Sequence, residues 1–555
     1  MKVSTSLFTF LAAALGFSSG AQAADAAAWK SRNIYFILTD RIAKGPDDGT
    51  AGCGDLGQYC GGTFKGIESK LDYIQGMGFD AIWLTPVVES KFKSLVLDLY
   101  AINSHYGTAD DLKSLIAAAH SRGMYMMADI VANHMGAGNI AEFRPEPLNQ
   151  ASGYNTKCEI NYNDQNSVEN CWIAGLPDIA TKNPAVRTAL KTWIQWFVKE
   201  YSWDGLRLDT VKHVEKDFWK EFLGRLRLWD PNPEYLADYA RNMGGVLDYG
   251  IYYPMNNFYQ QKGSVGDLIA MHDRIGNTFP DAAALGTFLD NHDNARWLSK
   301  KGDTTLLKNC LAYVILSRGI PIVYYGTEQA YAGGNDPANR EDLWRSGFNT
   351  NADVYKAIAA MSKARKAGGG LPDNDQTHIT NGDATMYAWS RAGGKVIAVT
   401  FNRGGAMNEK YCLDIKKPNG AYTDVMTSTA YTADGAGKIC FQVTGGNPVI
   451  LVEGTGETPT ESASPPTPRP ALRAPPLLAL TPVEPTSEAP APTSSDVAAP
   501  TSDSVSPTSE APAPTTSQSA VQTSSDTPAP TTTQAGPVPC GRAPVKRAAP
   551  PRRKY

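Results

Sequence analysis

The sequence predicts an α/β fold: a parallel (β/α)8 barrel of the TIM type, a small domain inserted after the third strand, and a C-terminal antiparallel β domain. Three observations predict it. Apolar strand-like runs alternate with helical patterns between Ile34 and Tyr325. The polar, cysteine-bearing segment Gly136–Pro177 breaks that rhythm, and from Gly382 to Val452 short apolar runs are separated by Gly, Asn and Asp. Alternation over about 300 residues is what buried parallel strands covered by helices produce, with an open doubly wound sheet as the alternative that periodicity leaves standing.

The elements follow in order. Lys2 precedes the apolar stretch Leu7–Phe17, and Ala21-Gln22-Ala23 offers small residues for cleavage, so residues 1–23 are expected to be a secretory signal peptide. That stretch is too short to span a bilayer and no later run is long enough, so no transmembrane span is expected. The barrel is assigned to residues 24–380. Its strands are expected at Ile34–Leu38, Ala81–Thr85, Tyr125–Val131, Gly205–Leu208, Ala284–Leu289 and Ile320–Tyr325, with helices such as Ala109–His120 and Ala185–Tyr201 between them. The inserted domain occupies about 135–178. The β domain takes 381–455, with strands at Thr385–Trp389, Val396–Phe401 and Val449–Val452. Residues 456–555 collapse into Pro, Ser, Thr and Ala, with Pro485–Thr493 recurring at Pro507–Thr515; such a composition cannot bury a core and predicts an extended, O-glycosylated tail. Its end holds Arg542, Lys546, Arg547, Arg552, Arg553 and Lys554, whereas a glycolipid-anchor signal needs a terminal apolar run. Secretion is therefore expected, with cell-wall association through the tail as a second placement.

A net charge of −4 argues against nucleic acid as a partner, and 25 Tyr with 11 Trp suit stacking on sugar rings as well as core packing. Six of the eight cysteines fall into close pairs, Cys53 with Cys60, Cys158 with Cys171, and Cys412 with Cys440. Cys310, inside an apolar segment, is expected to be a buried free thiol.

Three apolar runs end in polar groups, as strands do when they deliver side chains to a barrel rim: Asp129-Ile130-Val131-Ala132-Asn133-His134, Gly205–His213, and Phe288-Leu289-Asp290-Asn291-His292-Asp293. Retaining cleavage of a glycosidic bond needs a carboxylate nucleophile and a protonated acid about 5 Å apart. Asp209 is the candidate nucleophile, with Arg207 on the same strand face to keep it ionised. His134 and His292 could donate to sugar hydroxyls, and Asp293 could hold the distorted ring. Any one of these alone reads as a structural cap; repetition at three strand ends favours chemistry. Asn133, Glu169 through its carbonyl, Asp178 and the carbonyl of His213 form an oxygen set suited to a hard cation.

Ile34-Tyr35-Phe36, Gly76-Met77-Gly78-Phe79, Tyr106–Leu112, Leu176-Pro177-Asp178 and Gly333–Glu341 accompany those segments. On these strings the chain resembles the secreted fungal α-amylases of glycoside hydrolase family 13, from about Trp29 through the β domain. The resemblance implies a Ca2+ site at Asn133, Glu169, Asp178 and His213. It implies hydrolysis of internal α-1,4 links in starch, glycogen or maltooligosaccharides by a monomer, with Asp209 as nucleophile and Asp293 stabilising the transition state. Sugar contacts are implied at Gln58, Trp83, His134, Arg207, Lys212, His292, Asp336 and Arg340.

Two departures bear on activity. The family's fifth strand ends in Gly-Glu-Val, whose Glu is the general acid; aligning Asn232-Pro233-Glu234-Tyr235 with the family's Asp-Pro-Ala-Tyr puts Arg227 there. A guanidinium cannot act as a general acid at neutral pH. Asp230 and Glu234 are poor substitutes, because Pro231 and Pro233 restrict the backbone around Asn232. Between Pro86 and Asp98 the family's Tyr-His-Gly-Tyr-Trp loop, whose Tyr stacks under the sugar, is replaced by Val87–Leu95. Such losses suit a degenerate homologue or a chain joined at wrong exon boundaries. The expected function is an impaired α-glucan hydrolase, with an α-glucanotransferase and a non-catalytic glucan-binding homologue as the alternatives.

Overall fold

The computed structural model describes residues 24, 26–91, 95–222, 237, 240 and 245–454. The expected signal peptide, the Pro/Ser/Thr tail, and Arg227, Asp230 and Glu234 lie outside the described residues.

The barrel sheet begins with β1 (Ile34–Ile37) and β2 (Ala81–Leu84), both wholly buried. A hairpin of β3 (Val88–Lys91) and β4 (Leu95–Ile102) then leaves the sheet. β5 (Tyr125–Ile130), β6 (Gly205–Leu208), β7 (Gly286–Thr287) and β8 (Ile320–Tyr324) continue the barrel. The six barrel strands among the described residues pair in parallel, in the spatial order β6-β5-β2-β1-β8-β7. Beyond β7 a parallel bridge between Leu247 and Gly286 extends the ladder. Two-sided burial explains why these strands read as unbroken apolar runs.

The helices return the chain along the outside. Thr108 opens Ala109–Ser121 with a capping box, its hydroxyl accepting from Asp111 N while the Asp111 carboxylate accepts from Thr108 N. Asn183 caps Pro184–Tyr201, which places Pro at its first position and ends on Ser202 in the left-handed region at φ 58°. Both helices bury an apolar stripe, Leu112, Leu115, Ile116 and Ala119 in the first and Val186, Leu190, Trp193, Ile194 and Phe197 in the second.

The C-terminal strands run antiparallel. β9 (Thr377–Ile379), β10 (Met386–Arg391), β11 (Val396–Phe401), β13 (Ala421–Asp424) and β16 (Val449–Glu453) make a sheet with β14 (Thr429–Thr432). β12 (Glu409–Asp414) and β15 (Lys438–Val443) pair separately. Met386, Ile397, Val399, Phe401, Leu413, Ile439, Phe441 and Leu451 form the core between them. Docking onto the barrel runs through Asn309 on the helix Thr304–Leu316, which is buried from Leu306 onward. Its Oδ1 accepts from Phe401 N at 2.8 Å, and its Nδ2 donates to Gly446 O at 2.9 Å.

Cys53–Cys60, Cys158–Cys171 and Cys412–Cys440 are disulfides, and Cys310 is a buried free thiol, as the spacing predicts. One expected strand shrinks. Of Ala284–Leu289 only Gly286 and Thr287 pair, because Ala282–Ala284 winds as a 3-10 turn and the chain then leaves the ladder toward Asp290. The Asp290 carboxylate accepts from Trp297 N at 3.0 Å and from Thr327 Oγ1 at 3.3 Å, which draws this segment into the loop layer.

Replacing Asn309 by Ala strands the buried Phe401 N–H and Gly446 carbonyl. Chemical denaturation of Asn309→Ala is expected to show a loss of about 1–3 kcal/mol, the usual cost of a buried group deprived of its partner; an unchanged midpoint would show that docking does not depend on this side chain.

Candidate active site

Arg207 sits on β6 directly opposite Asp129 on β5, and Asp209 follows two residues later. This register puts all three charged groups at the C-terminal ends of neighbouring strands. One guanidinium nitrogen serves both carboxylates: Arg207 Nη1 lies 2.8 and 3.0 Å from the two Asp129 oxygens and 2.9 Å from Asp209 Oδ1. Trp83, at the end of β2, donates from Nε1 to Asp129 Oδ2 at 3.0 Å and stacks on Phe36 at 3.7 Å. The guanidinium carbon is 5.1 Å from the Trp83 ring, within cation–π range.

The two carboxylates are driven apart. Burial pushes Asp129 up, only partly opposed by Arg207, and the neighbouring Asp209 charge adds to the rise. Asp209 is also penalised by burial, but the Arg207 guanidinium beside it holds its carboxyl below the ordinary range. Asp209 is thus the more acidic of the two and is ionised at neutral pH.

The histidines are neutral and their tautomers follow from their partners. Burial lowers the pKa of His134 and His292, and lowers that of His213 to about 4. His134 Nδ1 faces Met135 O at 3.1 Å; since a carbonyl only accepts, the proton is on Nδ1 and Nε2 is left as an acceptor. The expectation that His134 donates to a sugar hydroxyl is therefore reversed. His292 Nε2 lies 3.3 Å from Asp293 Oδ1, while its buried Nδ1 has no hydrogen-bond partner among the described residues.

The cleft above these groups has two lobes of about 490 Å³ each, which share Arg207, Asp209, His292 and Asp293. One is lined by Trp83, Tyr162, Lys212 and Tyr249, with Lys212 Nζ 5.4 Å from the Tyr162 ring centre. The other is lined by Tyr59, His134, Asp336 and Arg340. Arg340 Nε pairs with Asp336 Oδ1 at 3.1 Å, and Arg340 also donates to the His292 carbonyl. Asp293 is half exposed between the lobes.

The expected sites are therefore brought together, with two qualifications of place. Gln58 is exposed and engages through its carbonyl, which accepts from Arg41 Nη2 at 2.9 Å; the ring lining the cleft belongs to its neighbour Tyr59. Trp83 is almost wholly buried beneath the lobe it lines. Sequence reasoning missed Asp129, Tyr59, Tyr162 and Tyr249. Asp129 opens one of the three strand-end segments, so its charge was a usable signal; the tyrosines carry none.

The oxygen set beneath the cleft fits a hard cation. Asp178 Oδ2 accepts from Asn155 Nδ2 at 2.7 Å, but its buried Oδ1 has no hydrogen-bond partner among the described residues, and burial pushes this carboxyl up to about 7. A cation is what such an oxygen lacks. Asn133 accepts from Thr210 Oγ1, and Thr210, at φ 48°, follows Asp209 directly. Glu169 lies near the end of the helix Gln165–Asn170, where carbonyls lack intrahelical partners, and the helix is tied to the turn Val211–His213 through His213 Nδ1 to Val168 O at 3.0 Å. Among the described residues no group of three or more His, Cys, Asp or Glu side chains is placed to hold a metal, so backbone and amide oxygens would have to complete the shell.

Comparison with known proteins agrees with this geometry. A family model described as the catalytic domain of alpha amylase matches residues 36–222 and 227–378, with a break at the stretch where Arg227 begins. Alpha-amylase 2 of Schwanniomyces occidentalis is 38% identical over 462 residues, spanning 77% of this chain and 90% of that protein. The alpha-amylase of Saccharomycopsis fibuligera is 35% identical over 459 residues, spanning 76% and 92%. Among solved structures, an alpha-amylase from Malbranchea cinnamomea matches with a TM-score of 0.73 at 36% identity, covering 78% of this chain and 98% of that one.

Removing Arg207 tests the electrostatic reading. In the native chain Asp209, depressed on folding, contributes stability above the ordinary carboxylate range that is lost as pH falls through its folded value. In Arg207→Leu both buried carboxylates are raised instead, so their penalty is full at neutral pH and is relieved as pH falls toward the unfolded value. The melting-temperature gap between native and variant is expected to be widest near pH 7.5, equivalent to about 3–5 kcal/mol, and to narrow at pH 4.5. An equal gap at both values would show that the guanidinium acts by packing alone.

Proposed function

The chain belongs to the alpha-amylase family, and from this we propose that it is a secreted hydrolase of α-1,4-linked glucans such as starch, glycogen or maltooligosaccharides, working with retention. The observation that supports it best is the ionised Asp209, held by Arg207 where the two lobes of the cleft meet. In this reading an Asp209 oxygen attacks the anomeric carbon while Asp293, which follows β7 and lines both lobes together with Asp209, favours the positively charged transition state. His134 accepts from a sugar hydroxyl and His292 contacts sugar beside Asp293; Lys212 contacts sugar in one lobe, Asp336 and Arg340 in the other, and Trp83 and Gln58 complete the contacts.

The weak link is the proton for the leaving oxygen. Sequence places Arg227 where the family has its acidic Glu, so we assign this chain slow turnover. Release of reducing sugar from soluble starch is expected to fall about 10²–10⁴-fold below that of a family member with its acid intact. The remainder should vanish in Asp209→Asn and persist in Asp230→Asn and Glu234→Gln. Amylase-like turnover by the native chain would overturn the assignment of slow turnover, and loss of activity in Asp230→Asn would make Asp230 the acid.

Asn133, Asp178 and the carbonyls of Glu169 and His213 would hold a calcium ion, which supplies charge compensation for a buried carboxylate rather than chemistry at the sugar. The ion would tie the segment about 135–178, which we take as the inserted domain, to the barrel. Because a ligand bound only by the native state stabilises it, chelation should lower the melting temperature and added calcium restore it. Identical melting with and without chelator would remove the site.

A further inference from the structure

The lobe that holds Asp336 and Arg340 contains an aromatic pair with no part in the roles above. Tyr59 lines this lobe, and the exposed His105 lies flat on its ring, with centroids 3.8 Å apart and planes 10° apart. A single buried amide fixes both rings. Asn103 Nδ2 donates to Tyr59 Oη at 2.8 Å and to Ser90 Oγ at 2.8 Å. Asn103 Oδ1 accepts from His105 N at 3.0 Å and faces His105 Nδ1 at 3.1 Å. An amide oxygen only accepts, so the imidazole proton is on Nδ1. The Tyr59 hydroxyl in turn donates to Ser90 O at 3.2 Å. Ser90 lies on β3 and Asn103 directly follows β4, so the hairpin standing where the family's aromatic loop is missing is the element that clamps Tyr59.

Locked rings are what a sugar platform requires. A pyranose presents an apolar face of C–H groups, an aromatic face offers matching area, and a ring already immobilised loses little freedom when ligand arrives. We infer that Tyr59, backed by His105, is a stacking platform for a glucosyl residue in this lobe. Asn103 and His105 are positioning residues in this arrangement. The inference rests on the glucan reading given under Proposed function.

The test is calorimetric titration of maltoheptaose into the full chain carrying Asp209→Asn, so that ligand is not consumed. Adding Tyr59→Ala should weaken binding about five- to tenfold, whereas Tyr59→Phe, which keeps the ring, should stay within about twofold. Position 105 is exposed, so its variants should fold with unchanged melting temperature. His105→Ala is expected to weaken binding about two- to threefold and His105→Phe, which can still stack, to restore it. Binding indifferent to changes at both 59 and 105 would overturn the platform and leave the glucan reading standing. Equal loss in Tyr59→Phe and Tyr59→Ala would also overturn it, because the hydroxyl network and not the ring would then matter. Failure of the chain with Tyr59 and His105 intact to bind maltoheptaose would bring down the glucan reading, and the platform with it.

Discussion

One buried guanidinium organises the chemistry of this molecule. Arg207 reaches Asp129 on the neighbouring strand and Asp209 on its own with a single nitrogen. Two carboxylates this close to each other in a site sheltered from water cannot both ionise without a cation. The parallel register that sets Asp129 opposite Arg207 is thus more than a folding detail: it places one cation where both carboxylates can share it. Trp83 donates to Asp129 and is itself stacked on Phe36, so the aromatic floor of the barrel holds the electrostatic unit in place.

Much of the fold was legible because its strands are short apolar runs with helices of clear period between them. Val396–Phe401 and Gly205–Leu208 fall where the apolar runs place them, and Ala109–Ser121 begins at the Thr-x-x-Asp box that its first residues announce. The β7 region misled because burial, not pairing, makes Ala284–Leu289 apolar: most of the run packs as a 3-10 turn and a loop. Thr377–Ile379, Thr429–Thr432 and Glu409–Asp414 were hidden for the opposite reason. Their side chains are largely exposed, so their sequence lacks the apolar signature of a strand.

The site was legible where strand ends concentrate charge and silent where loops supply rings. Asp209, Arg207, His134, His292 and Asp293 stand at predicted barrel ends and meet in one cleft. Tyr59, Tyr162 and Tyr249 come from three separate parts of the chain, and only tertiary packing brings Tyr59 to one lobe and Tyr162 with Tyr249 to the other. Residue type alone also could not settle the imidazole protons. That His134 accepts rather than donates depends on a carbonyl one residue away, which no pattern of side chains encodes.

The three disulfides have a further meaning for how the chain matures. They join cysteines 7, 13 and 28 residues apart, and the buried Cys310 is left as a thiol. Six cysteines permit about 15 complete pairings, but short loops close at the least entropic cost, so an unfolded chain meets these partners before more distant ones. Each bridge also stays within one loop or one strand pair and none ties the barrel to the β sheets. Oxidation can therefore run ahead of barrel assembly without committing the chain to a wrong topology, and reduction would loosen three local clasps while the junction at Asn309 stayed closed.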